Sequence, residues 1–335
     1  MDGGQPGRRS KEELKQIVGS IILSQGNDFI KELLRQNKIP IGTTKPEFGR
    51  NLSQAIDSGA LSQAMIEDWL GDVEGWGNQH VYLYRSLPMT ARAIRTRIGA
   101  SRFAGLLAHK VSYEFPEALQ LTSISLDADR LSLVWHIGSA GWERVKPMDR
   151  FEEVGLDFYK FEAYRRRAER NLVRFEWRFA DPYCAILIEL ANRDSQHDEA
   201  IAQVRSHLGE IGIAARLDAV SLSQAAKRAS ADPKLVALSA RMTAEGGHVD
   251  FVSTLLEGGI GDVEAVRHVR NAVNESEFHA AEGLFHFTTK SHPALSRAIK
   301  VQVFGRESRM RLWAQCKRDD VYLIIDALWA SNQVS

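Results

Sequence analysis

The chain has 335 residues, 44% hydrophobic and 26% charged, enough to bury a sizeable core and to form two or three domains. No apolar run approaches the roughly 20 residues that cross a bilayer. The opening MDGGQPGRRSKEEL has no apolar core after its charges, so a cytoplasmic protein is expected. The 43 basic and 43 acidic residues cancel, so total charge selects no polyanionic partner and only local clusters can.

Residues 1–9, rich in Gly and Arg, are expected to be a disordered start. Ser10 and Glu13 then have capping-box spacing, in which each side chain satisfies a free amide of the first helical turn. A helix is predicted from Lys11 to Ser24, with Leu14, Ile17, Val18 and Ile21 on one side. A second follows from Asn27 or Asp28 to Gln36, burying Phe29, Ile30, Leu33 and Leu34. The next stretch, NKIPIGTTKPEFGRNL, holds a short extended piece and a second capping pair, Thr44 and Glu47. Pro46 falls in the first turn, where its missing amide costs little. The third helix carries Phe48, Leu52 and Ile56 and stops near Gly59. A fourth, about Ser62 to Glu74, puts Met65, Ile66, Trp69, Leu70 and Val73 on one face. Residues 10–84 are therefore expected as a helical domain ending in the alternating run HVYLYR.

Residues 85–110 are predicted as a basic linker helix, carrying Arg85, Arg92, Arg95, Arg97, Arg102 and Lys110 and no acid. Arg92, Arg95 and Arg102 fall on one helical stripe, away from Ile94 and Ile98. From Leu119 the period becomes two, and residues 111–218 are expected as an antiparallel meander plus a helix. Within it Arg174, Glu176 and Arg178 alternate with Val173, Phe175, Trp177 and Phe179. Arg165, Arg166 and Arg167 are placed at a hairpin tip. Residues 219–278 are expected to be helical, and 279–335 a β-hairpin plus a last helix capped by Asp319 or Asp320. The fold class is α+β, a small all-helical N-terminal domain followed by an antiparallel-sheet-plus-helix region with a helical insertion. Cys184 and Cys316 each lie in an apolar run and are expected to be buried free thiols.

On helix, extended loop and helix, residues 28–58 resemble the SAP motif, a small module that binds double-stranded DNA. Leu33 and Leu34 end the first helix, Ile39-Pro40 matches the loop's apolar-Pro pair, and Lys45 matches its Lys. Glu47, Phe48 and Leu52 match the acid and the two apolar anchors of the second helix. Lys38 stands where the family has Gly, the second Gly is shifted to Gly42, and Arg50 is one residue from the family's Arg, at which Asn51 sits. Thr43, Thr44 and Lys45 can supply hydroxyls and a charge to a phosphate, and Lys38 and Arg50 are expected to join them as DNA contacts. The physics of a helix amino end, with free amides and a positive dipole end, suits the same contact. Arg92, Arg95, Arg97 and Arg102 would extend it along the linker, and Arg165, Arg166 and Arg167 form a further basic group.

No catalytic constellation is legible. The ten histidines are scattered, no Cys-x-x-Cys or Gly-rich phosphate loop follows a strand, and the one Glu-x-Lys is Glu13-Leu14-Lys15 on a helix. His136 is expected to be structural, and His197 to open a helix. The expectation is a DNA-associated, non-enzymatic protein that grips duplex DNA largely without sequence readout, with no catalytic residue, metal or cofactor. In it the α+β region binds a partner protein or extends the DNA contact. A nuclease-like enzyme with its site in the α+β region, or a protein-interaction adaptor, are the alternatives.

Overall fold

The computed structural model describes residues 9–333 except 109–110, 190–193, 215, 233, 245–246, 254–257, 265, 267 and 269–278. Of residues 1–9, expected to be disordered, 1–8 lie outside the described residues, whereas Arg9 is placed, its amide donating to the Gln63 side chain at 3.0 Å. The helices described end to end include α1 (Lys11–Ser20), α2 (Asn27–Gln36), α3 (Lys45–Ser58), α4 (Gln63–Val73), α5 (Ala91–Ala100), α6 (Asp194–Ile211), α7 (Ser223–Ala229) and α8 (Arg318–Gln333). The strands are β1 (Gln79–Arg85), β2 (Gln120–Leu126), β3 (Arg130–Arg144), β4 (Arg150–Val154), β5 (Asp157–Phe161) and β6 (Tyr164–Arg178). Then come β7 (Tyr183–Ile188), β8 (Val236–Ala244), β9 (Gly247–Val252), β10 (His279–Phe287), β11 (Ile299–Phe304) and β12 (Arg309–Leu312). The α+β class is as expected. No helix among the described residues is long and apolar enough to cross a membrane.

The chain forms two compact units. The first comprises Met1–Met65, Ser112–Thr122 and Trp135–Leu172. Its helices begin where the sequence signals them. Ser10 and Glu13 make the full capping box on α1, Pro46 sits in the first turn of α3, and Gly59 ends α3 at φ 79. The helix expected to run to Ser24 instead ends at Ser20, and a 3-10 turn, Ile22–Ser24, follows. Leu14, Ile17, Val18, Phe29, Leu33, Phe48, Leu52 and Ile56 are buried. Each such side chain contributes roughly 1.5–3 kcal/mol on leaving water. The same unit holds the hairpin of β4 and β5, a separate two-stranded sheet turning at Gly155, φ 69.

The second unit comprises Ile66–Val111, Ser123–Val134 and Val173–Ser335. Among the described residues ten strands share one sheet, in the order β2-β3-β6-β7-β1-β12-β11-β10-β8-β9, and of β2, β3 and β6 only residues 123–126, 130–134 and 173–178 belong to this unit. β1 lies inside it, antiparallel to β7 and β12, and Val81 and Leu83 are fully buried. The run HVYLYR thus belongs to a sheet core, and the expected helical domain over 10–84 gives up α4 and β1 to this unit. The last helix, α8, starts at Arg318, so Asp319 and Asp320, expected as its cap, lie in its first turn. Asp320 accepts from the Lys317 amide at 2.9 Å, and Val321, Ile324, Ile325 and Leu328 repeat at helical spacing into the core.

Two further expectations change. The segment 219–278 is not helical throughout, since β8 and β9 lie within it, and its residues 269–278 are outside the described ones. Ala237 and Ala240 favour a helix by propensity, but they sit opposite Phe285 and Gly283 of β10, where small side chains fit beside a bulky ring. The linker helix over 85–110 is shorter than expected. α5 ends at Ala100 and a 3-10 turn covers Ala104–Ala108. Ile94 and Ile98 are fully buried, so α5 packs as part of the second unit.

Candidate nucleic-acid interface

The chain leaves α2 through a tight turn. The Asn37 side chain donates to the Leu33 carbonyl at 2.8 Å, and the Ile39 amide to the Leu34 carbonyl at 2.8 Å. Between them Lys38 adopts φ 55, the left-handed conformation that glycine enters most easily. The position at which the resemblance substitutes Lys for Gly thus keeps a glycine-like backbone. Ile39 is buried, and the Asn51 side chain donates to the Pro40 carbonyl at 2.8 Å, tying α3 to the loop.

At the amino end of α3 the anion site is already occupied from within. Thr44 accepts from the Glu47 amide at 3.4 Å, as its capping position predicts. The Glu47 carboxylate turns back onto the Thr43 amide at 2.6 Å and the Thr43 hydroxyl at 3.1 Å. These donors, the main-chain amide first, hold the Glu47 carboxyl below its ordinary range. A phosphate at Thr43 or Thr44 would have to displace a carboxylate. Lys45, expected as a phosphate contact, is half-buried, and its ammonium donates to the carbonyls of Leu23 at 2.6 Å and Gln25 at 3.3 Å. Its charge is spent on the end of the Ile22–Ser24 turn.

The side chains of Lys38 and Arg50 remain exposed, with no hydrogen bond or ion pair among the described residues, although Arg50 does face the charge of Glu47. Arg35, exposed in the last turn of α2, is likewise uncommitted among the described residues and lies outside the motif's cations. The sequence signal for it was its place three residues before Lys38, across the end of a helix. Three cations thus flank one loop.

The other basic groups are more engaged. On α5, the Arg92 side chain is exposed without a hydrogen bond or ion pair among the described residues. Arg95 donates to the Leu126 carbonyl at 3.0 Å, Arg97 to the Gly212 carbonyl, and Arg102 pairs with Glu210 at 2.7 Å. Because α5 ends at Ala100, Arg102 leaves the stripe that a longer helix would have made. Arg165 lies in β6 rather than at a hairpin tip and pairs with Glu143 at 2.8 Å. The side chains of Arg166 and Arg167 lie outside the described residues.

The second unit also contains a polar cleft of about 420 Å³ lined by Trp76, Asp127, Arg130, Ser132, Arg174 and Glu176 among others. Arg174 lies over the Trp76 ring at 4.4 Å and 3.6 Å from Glu176. Glu176, 3% exposed, accepts from Ser132 and from the Tyr322 hydroxyl at 2.8 Å. Burial and that carboxylate push the Tyr322 phenol far above its ordinary range, so it stays a donor. His136 hydrogen-bonds Thr122 at 2.6 Å in a buried position of the first unit, and His197 on α6 of the second meets Tyr82 at 3.0 Å. No protein-family model matches this chain, and no curated protein sequence matches it.

Proposed function

We propose that the chain is a non-enzymatic double-stranded DNA-binding protein whose SAP-like helix–loop–helix makes phosphate contacts largely independent of sequence. The supporting observation is the set Arg35, Lys38 and Arg50, exposed and unpaired among the described residues around one loop that Asn51 ties to α3. Cations placed this way position a protein on a duplex without reading its bases. The grip shifts from the amino end of α3, as the resemblance implies, to the carboxyl end of α2 and the loop itself. Arg92 extends the basic surface of the second unit, which contributes further DNA contact or binds a partner protein.

Duplex binding measured across a salt series tests this. Lys38→Glu with Arg50→Glu should weaken binding and flatten the slope of log affinity against log salt by about 0.9 for each phosphate no longer neutralised. An unchanged slope in the folded double variant removes the loop from the interface. A second reading, a nucleic-acid-processing enzyme, is favoured by the cleft beside Arg174 and Glu176. Metal-dependent cleavage of plasmid by the purified protein would support it over the first.

A further inference from the structure

The β4–β5 hairpin carries its apolar residues outward on both faces. By the register, Phe151 and Phe158 share one face, and Val154, Tyr159 and Phe161 the other. Leu156 at the turn is 98% exposed, Phe158 79% and Phe151 76%. At roughly 150–250 Å² for a whole aromatic side chain, the six expose on the order of 700 Å² over the two faces and the turn together. Apolar side chains concentrated and exposed in this way mark an interaction site.

The base of the hairpin is fixed while its length is free. Arg144 pairs with Asp149 at 2.7 Å and with Glu162 at 2.7 Å, and Asp149 also accepts from the Ala163 amide at 2.9 Å. The Val145 amide closes the neck on the Ala163 carbonyl at 2.8 Å. Such an arm is held ready for a partner and loses little freedom on binding.

Its charges are divided along its length. Arg150 and Lys160 lie in the first two register pairs, next to the neck, and Glu152, Glu153 and Asp157 in the pairs nearer the turn. Both outer edges of this two-stranded sheet are unpaired among the described residues. Two such arms laid antiparallel bring the acidic tip of each against the basic base of the other, which is the self-complementarity a two-fold dimer requires. Lys160 pairs with Glu162 at 3.0 Å on the surface, a weak contact that is readily exchanged. Three acids beside Leu156 disfavour an anionic lipid surface as the occupant.

We infer that the β4–β5 hairpin is a dimerisation arm that docks against the same hairpin of a second copy of this chain, tip to base. Sedimentation of the full chain over a concentration series tests it, with and without changes in the arm. The wild-type chain should be in monomer–dimer equilibrium. Phe151→Ser with Phe158→Ser should weaken the dimer by on the order of a hundredfold or more. An acidic arm (Arg150→Glu, Lys160→Glu) and a basic arm (Glu152→Lys, Glu153→Lys, Asp157→Lys) should each self-associate at least about tenfold more weakly. Their equimolar mixture should recover dimer. None of these residues is buried, so thermal unfolding of the variants should stay close to wild type. A wild-type chain that remains monomeric overturns the inference, whether or not another protein binds the arm. So does a dimer unmoved by the arm variants, or a mixture of the two charge variants that stays monomeric.

Discussion

Lys45 donates its ammonium to the main-chain oxygen of Leu23 at 2.6 Å, across a sequence separation of 22 residues. The bond joins the first turn of α3 to the short turn that follows α1, and it removes from the surface the cation that best matches the SAP pattern. Lys45→Met keeps the stem and deletes the charge. It should cost about 1 kcal/mol of stability, the usual net value of a hydrogen bond left unmade, and leave duplex affinity unchanged. Urea unfolding and a binding isotherm check the two halves. A large loss of affinity with full stability would return Lys45 to the interface.

On α5, Arg95, Arg97 and Arg102 are held by Leu126, Gly212 and Glu210, and Arg92 alone of the four is uncommitted among the described residues. Arg92→Ala should therefore change the salt slope of DNA binding as much as replacing all four with Ala. Alanine is the best helix former, so the helix itself is not weakened by these changes. A slope that falls further with each added substitution would show that the other three leave their carbonyl and carboxylate partners for phosphate.

Glu176 is buried with Arg174, Ser132 and Tyr322 around it. Glu176→Leu leaves the Arg174 guanidinium buried beside an apolar group and should cost about 3–5 kcal/mol. Pairing it with Arg174→Met should recover part of that loss, because the uncompensated charge is gone. Chemical unfolding of both variants decides it. A double variant less stable than the single one would assign the cost to packing on Trp76.

Asp149 at the neck of the hairpin accepts from the Ala163 amide and the Arg144 guanidinium, which hold its carboxyl below the ordinary 3.8. A carboxyl lowered in the folded state adds stability that is complete above its unfolded value and lost as pH falls through the folded one. The neck should therefore stay closed at neutral pH and loosen only on acidification below 3.8. The Ala163 amide resonance followed through an acid titration should show a midpoint under that value. A midpoint at or above it contradicts the bond.

Cys184 and Cys316 are both buried, and burial pushes each thiol up to about 12. Thiolate is the reactive form, so neither should label with a disulfide reagent in the native protein. Both should label after unfolding. Rapid native labelling at either site would mean that its strand or turn opens often.

Where one turn of chain contains its own reasons, the residues alone determined the structure. The capping box of Ser10 and Glu13, the start of α3 at Thr44 and its stop at Gly59 each depend on groups a few residues apart, and each forms as read. The apolar faces of α2 and α3 follow from the same short period. Only tertiary structure decided the rest. β8 has helix-favouring alanines, and its strand exists because β10 offers a Phe and a Gly opposite them. β1 reads as a short alternating run and becomes an interior strand because strands from distant parts of the chain pair on both sides. For the basic residues the limit is the same. Type and spacing show where a charge is, but whether it faces solvent, like Lys38, or a carbonyl, like Lys45, depends on a partner that only the folded chain supplies.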